Sequence, residues 1–186
     1  MKLFLAIVFA PAAVYFVASN THVTFHVSSG GAGGRPAAAK DVERVTAAAY
    51  RDHLDVALTQ VFVTIGPNAQ WTGKRAARIE RRAPRLARRV GGLSDGARNR
   101  VAVLNVQTSA GRRFRAMVAE GLRRQARLYR RFAHDLATSE PTYGVVARWG
   151  RRVNALHRWY VTQLRSVVAA APPEDRAAVE AAVLRS

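Results

Sequence analysis

Apolar side chains recur every three or four residues along several stretches of the chain, a spacing that places them on one face of an α-helix. The first stretch begins at Pro36, because proline suits the first position of a helix, and continues to Ile65. Gly66-Pro67 is expected to stop it, since glycine accepts the left-handed cap and proline cannot continue a helix. The pattern predicts one helix, with an apolar stripe formed by Ala47, Tyr50, Leu54, Leu58, Val61 and Ile65.

The middle of the chain predicts two further helices. One runs from Lys74 to Val90, with Pro84 expected to kink or split it and Gly91-Gly92 expected to end it. Ser94 is a suitable N-cap for the next helix, whose stripe continues to Leu136. The segment Val101–Val106 near its start fits either a helix or a strand.

A fourth stripe extends from Trp149 to Val167, after a helix-entry cluster at residues 139–142. Pro172-Pro173 ends it, and a short fifth helix follows. Amphipathic helices with short connections pack most simply side by side. The predicted fold is therefore all-α: an antiparallel bundle of about four amphipathic helices plus a short C-terminal helix, occupying residues 36–186.

The N-terminal 19 residues have the composition of an export segment. Lys2 precedes an uncharged apolar run, Leu3 to Ala18, and small residues end at Ser19, as in a secretory signal peptide. An uncleaved membrane anchor is the alternative, although the run is shorter than the ~20 residues of a full span. A buried N-terminal helix is a third interpretation. Residues 20–35 predict a flexible linker rich in Gly and Ser.

Positive charge is concentrated in one region. The chain carries a formal charge of +18, and residues 74–165 hold 23 of its 30 Lys and Arg but only 5 of its 12 acids, so this region accounts for the whole excess. Nearly all of the basic residues are arginines, which suit bidentate contacts with phosphate and carboxylate groups. The simpler interpretation is that any one of these arginines lies on a solvated face of a helix and binds no partner.

Two arginine-rich runs are the candidate anion-binding residues, because each lies beside an apolar stripe on a predicted helix. An exposed row of this kind attracts anionic ligands. The candidates are Arg75, Arg78, Arg82, Arg85 and Arg89 in the first run, and Arg123, Arg124, Arg127, Arg130 and Arg131 in the second.

The sequence contains no catalytic motif. Cysteine is absent, which excludes disulfides, thiolate metal sites and cysteine nucleophiles. His53, flanked by Asp52 and Asp55, is the candidate histidine in the helical part, and the simpler interpretation is that these side chains are solvated. The sequence predicts no metal site and no cofactor, and it leaves an enzymatic activity open but disfavoured.

Two functions from different classes fit these features. The first is a non-enzymatic helical protein, exported or membrane-attached, that binds an anionic partner: a membrane surface, an acidic envelope polymer or an acidic protein. It would be extracytoplasmic or anchored in the membrane through its N-terminal segment. The second is a nucleic-acid-binding module, or a ribonucleoprotein component, that contacts phosphates through Arg75–Arg89 and Arg123–Arg131. The oligomeric state is not specified by the sequence.

Overall fold

The computed structural model describes residues 36–65, 73–138 and 143–185. Four predicted features lie outside the described residues: the export segment or anchor (1–19), the linker (20–35), the stop at Gly66-Pro67 and the helix-entry cluster at 139–142. The helices are α1 (Ala37–Tyr50), α2 (Leu54–Ile65), α3 (Gly73–Ala102), α4 (Ser109–Thr138), α5 (Tyr143–Ala169) and α6 (Arg176–Arg185), with a short 3-10 turn over Pro173–Asp175.

The described residues form an all-α bundle, which confirms the predicted fold class. The two long helices α3 and α4 make the most extensive contact, and because a short loop joins them they run antiparallel. Helix α2 packs on α3, α5 packs on α4, and α1 contacts α3, α4 and α6. Small and β-branched side chains fill the centre around the fully buried Phe114, Phe132 and Leu58.

The prediction of one helix over residues 36–65 was wrong, because the chain breaks at residues 51–53. His53 adopts a left-handed backbone conformation with a φ of 57°. Arg100 fixes this corner: its Nε donates to the Ala48 carbonyl oxygen at 3.2 Å, and its guanidinium pairs with Asp52. The apolar stripe alone could not show this interruption, since it continues in phase on both sides.

The prediction that Gly91-Gly92 ends a helix and Ser94 caps the next was also wrong, since α3 is continuous through them. A Cβ added to Gly91 would lie 3.0 Å from Cγ of Arg130, so this glycine allows close approach of α4. Ser94 is fully buried, donates to the Val90 carbonyl oxygen at 2.7 Å and accepts from Nε2 of Gln125 at 3.0 Å. Both residues serve the contact between α3 and α4.

Pro84 is buried within α3 and does not split the helix. The ambiguous segment at residues 101–106 is mostly neither helix nor strand: α3 ends at Ala102, and residues 104–107 have no regular structure. The stop at Pro172-Pro173 and the short C-terminal helix after it are confirmed.

The left-handed conformation of His53 leads to a first prediction. A side chain with a Cβ is disfavoured there by roughly 1 kcal/mol, and a β-branched one by more. The exposed imidazole can be removed without loss of packing. We expect His53→Gly to raise the free energy of unfolding by roughly 1 kcal/mol and His53→Val to lower it, measured by urea denaturation. A valine variant as stable as the parent would contradict the strain at this position.

Candidate anion-binding groove

An open groove lies between α4 and α5. Its volume is about 360 Å³, within the range of small-ligand sites. Two half-buried leucines and an alanine form an apolar floor, and arginines from both helices form the rim. The lining residues are Arg124, Arg127, Leu128 and Arg131 from α4, and Arg152, Ala155 and Leu156 from α5.

Contacts at both ends of the groove fix the two helices relative to each other. At one end Trp149 of α5 stacks on Phe132 of α4, with ring centroids 4.6 Å apart, and meets Tyr129 edge-on at 6.0 Å. At the other end the buried Tyr160 packs directly on Gly121, where a larger residue would leave no room. Because the groove residues lie between these two anchors, the rim is held on rigid elements.

Carboxylates already bind two of the rim arginines. Glu120 accepts from Arg123 at 2.6 Å and from Arg124 at 2.8 Å, and these hydrogen bonds, that from Arg123 first, hold the pKa of the Glu120 carboxyl below its usual value. The Nη1 atom of Arg152 on α5 lies 3.8 Å from Oδ2 of Asp135 on α4. These pairs orient Arg124 and Arg152 at the two ends of the rim.

The other two rim arginines are not neutralised in this way. Arg127 and Arg131 are exposed and form no ion pair with any side chain that the structure describes. They are four residues apart on α4 and therefore lie on the same face, one turn from each other. Two guanidinium groups on neighbouring turns of one helix face are a common arrangement for binding a phosphate or carboxylate group.

An aromatic ring lies under one of the groove arginines. The guanidinium of Arg124 lies over the ring of the half-buried Trp159, 4.5 Å from its centroid. A cation in this position is attracted by the ring quadrupole. Trp159 also packs edge-on against Tyr160, with ring centroids 5.0 Å apart. The indole of Trp159 therefore helps to fix the position of the Arg124 guanidinium at the rim.

The structure brings together only some of the ten arginines that the sequence singled out. Arg124, Arg127 and Arg131 line the groove. Arg123 is turned to Glu120, and Arg130 pairs with Asp95 of α3. The remaining members are on α3, where Arg82, Arg85 and Arg89 are exposed and the side chains of Arg75 and Arg78 fall outside the described part.

Sequence reasoning missed Arg152, because this residue lies outside the two arginine-rich runs that were singled out. It also missed the acids that neutralise part of the rim. A signal for one of them was present: Glu120 precedes Arg123 and Arg124 by three and four residues, the spacing of ion pairs along a helix. The pairing of Arg152 with Asp135 joins two helices, so no local spacing indicates it.

Other kinds of site find less support. Within the described ranges no group of His, Asp and Glu is arranged to hold a metal ion. His53 is exposed at the corner between α1 and α2, and Asp52 beside it is paired with Arg100. None of the helices described is long and apolar enough to cross a membrane.

Comparison with known proteins gives no relative from which a function could be transferred. No protein-family model, curated protein or solved structure matches this chain. The function of the chain has to be inferred from the groove itself.

Proposed function

We propose that the chain is a non-enzymatic binding protein that holds an anionic partner in the groove between α4 and α5. The supporting observation is the pair Arg127 and Arg131, which lie one turn apart on the rim without a carboxylate partner among the described side chains. Guanidinium groups in this arrangement donate charge-assisted, bidentate hydrogen bonds to phosphate or carboxylate oxygens. The net charge of +18 adds a long-range attraction for anions.

We further propose that the chain binds its anionic partner outside the cytoplasm or at a membrane, and the N-terminal segment supports this location. Met1 to Ser19 has the composition of a signal peptide or an anchor. The partner would then be a membrane surface, an acidic envelope polymer or an acidic protein. Nucleic acid, the alternative partner, requires that this segment does not export the chain.

Substitution of the two unpaired rim arginines tests the proposal. We expect Arg127→Gln/Arg131→Gln to weaken binding of tripolyphosphate by about tenfold or more, since a hydrogen bond to a charged group contributes about 1.5–3 kcal/mol and 1.4 kcal/mol is tenfold in affinity. Isothermal titration calorimetry at low ionic strength measures the affinity.

The matched control is Arg113→Gln/Arg165→Gln. Both residues are exposed and lie outside the groove lining. The control therefore removes an equal number of positive charges, two, away from the groove. It should change the affinity far less. Equal losses in the two double variants would show that net charge, and not the groove, attracts the anion, and would refute the proposed function.

A further inference from the structure

The groove has two chemically different parts, and the ligand must match both. Its rim is cationic, whereas its floor consists of the side chains of Leu128, Ala155 and Leu156. The two leucines are half-buried, so part of their apolar surface faces solvent in the groove. A ligand that is only a phosphate or a polyanion leaves this floor in contact with water, whereas an apolar group beside the charge would cover it.

The available charge is also small. Arg124 shares the Glu120 carboxylate with Arg123 and Arg152 lies near Asp135, so Arg127 and Arg131 are the two lining arginines without a carboxylate partner among the described side chains. Two guanidinium groups one turn apart match one phosphate group, or a phosphate with one further negative group. A long polyanion would need a continuous cationic track, and the pairs at the two ends of the rim interrupt it.

The aromatic side chains argue against bases as the second part of the ligand. Proteins that hold single-stranded nucleic acid offer exposed aromatic rings on which bases stack. Every aromatic side chain whose exposure the structure describes is buried or half-buried. Trp159, the aromatic residue beside the groove, has Arg124 over its ring and meets Tyr160 edge-on.

We propose that the groove binds the headgroup of one anionic phospholipid, with the phosphate between Arg127 and Arg131 and the glycerol and first methylene groups on Leu128, Ala155 and Leu156. This inference rests on the proposed anion-binding function and names its ligand class. The groove is open to solvent and only about 360 Å³ in volume, so we place the headgroup in it and leave the acyl chains in the membrane. Binding at such a site is saturable, with one lipid for each chain, unlike diffuse adsorption of a basic surface.

A short-chain phospholipid below its micelle concentration tests the inference without a bilayer. The full-length chain is titrated calorimetrically with dihexanoyl phosphatidylglycerol, with glycerophosphoglycerol, which has the same phosphodiester headgroup without the acyl chains, and with tripolyphosphate. We expect one site for the phospholipid and an affinity about tenfold or more above that for glycerophosphoglycerol, because several methylene groups leave water when the phospholipid binds. Equal affinities for the two ligands would overturn the inference.

Variants of the floor and rim separate this inference from the proposed function. Leu156→Gln should lower the affinity for the phospholipid far more than that for tripolyphosphate, because only the phospholipid places methylene groups on this side chain. The tripolyphosphate titration also reports whether the groove is folded. Arg127→Gln/Arg131→Gln should weaken binding of both ligands, and Arg113→Gln/Arg165→Gln should weaken neither by more than about twofold, as for exposed charges at a distance. If tripolyphosphate binding depends on Arg127 and Arg131 but the chain shows no preference for the phospholipid, the proposed anion-binding function stands and the lipid assignment is wrong.

Vesicles then distinguish a membrane from nucleic acid as the source of phosphate. The chain should bind vesicles of phosphatidylcholine with 30% phosphatidylglycerol, as a stated test composition, more weakly after Arg127→Gln/Arg131→Gln than after Arg113→Gln/Arg165→Gln. Residues 3–18 are common to all variants, so their contribution cancels in this comparison. A single-stranded oligonucleotide that displaces the short-chain phospholipid at lower concentration than the vesicles do would overturn the lipid assignment.

Discussion

Gly121→Ala is expected to lower the free energy of unfolding by about 3 kcal/mol, the upper part of the range for overpacked cores. A Cβ at this position would overlap the Oη and Cζ atoms of Tyr160 and lie 2.6 Å from its Cε1. Tyr160 is only 4% exposed, so its ring cannot move aside without displacing its neighbours. The gain in helix propensity from alanine, about 1 kcal/mol, offsets only part of this cost.

Gly150→Ala is the matched control for this substitution. Gly150 also lies inside a helix, on α5, but nothing stands within 4 Å of a Cβ added there. It should therefore stabilise the protein by up to about 1 kcal/mol through helix propensity alone. Urea denaturation of both variants gives the comparison, and two variants with the same midpoint would contradict the packing of Tyr160 on Gly121. Because this contact anchors one end of the groove, Gly121→Ala should also weaken anion binding.

Asp41→Ala is the second substitution with a large expected effect, a loss of about 3 kcal/mol of stability. The carboxylate of Asp41 on α1 is 4% exposed and lies at the N-terminus of α4. Its Oδ2 accepts the backbone N–H of Gln107 at 3.0 Å, the backbone N–H of Thr108 at 2.9 Å and the hydroxyl of Thr108 at 2.8 Å. A carboxylate is favoured at this end of a helix by the helix dipole.

The side chain of Asp41 also organises the cap of α4. Thr108 donates its hydroxyl hydrogen to Asp41, and its oxygen accepts the N–H of Gly111 at 3.0 Å. A Cβ at Gly111 would lie 2.5 Å from Cβ of Asp41, so the glycine makes room for this carboxylate. Removing the carboxylate leaves donors in a partly buried loop without a partner, which costs more than the lost bonds alone.

Glu180→Ala is the control for the change of charge, since Glu180 is exposed on α6. It should alter stability by less than about 0.5 kcal/mol, as for most surface substitutions. Thermal and urea unfolding measure the stability of the parent and the three variants, and the stability of Asp41→Asn should fall between those of Asp41→Ala and the parent. A stability of Asp41→Ala equal to that of Glu180→Ala would show that the buried carboxylate does not hold α1 to α4.

The apolar periodicity of the sequence predicted the helical class and most helical residues, because the stripe at every third and fourth position is a local property. Its errors occurred where tertiary contacts decide. Gly91 and Ser94 resemble a helix end and a cap, but both serve the contact between α3 and α4. The break at His53 depends on Arg100, which lies 48 residues from Asp52 along the chain.

The candidate site was predictable to a similar degree. The arginine runs on α3 and α4 are visible in the sequence, and Glu120 can be paired with Arg123 and Arg124 by its spacing. That Arg124, Arg127 and Arg131 share a groove with Arg152 depends on how α5 packs against α4. The aromatic contacts of Trp149 and the fit of Tyr160 on Gly121 set that packing, and neither is encoded by local periodicity.

Mapping the anion on the arginine side chains tests the central claim most directly. The Nε–Hε signals of the arginines are followed by heteronuclear NMR while the full-length protein is titrated with tripolyphosphate. We predict the largest saturable shifts on Arg127 and Arg131, smaller shifts on Arg124 and Arg152, which line the same groove beside carboxylates, and little change at exposed arginines elsewhere, such as Arg85, Arg113 and Arg165. Shifts of similar size at all exposed arginines would contradict a defined groove and would show that the overall positive charge of the chain accounts for the binding.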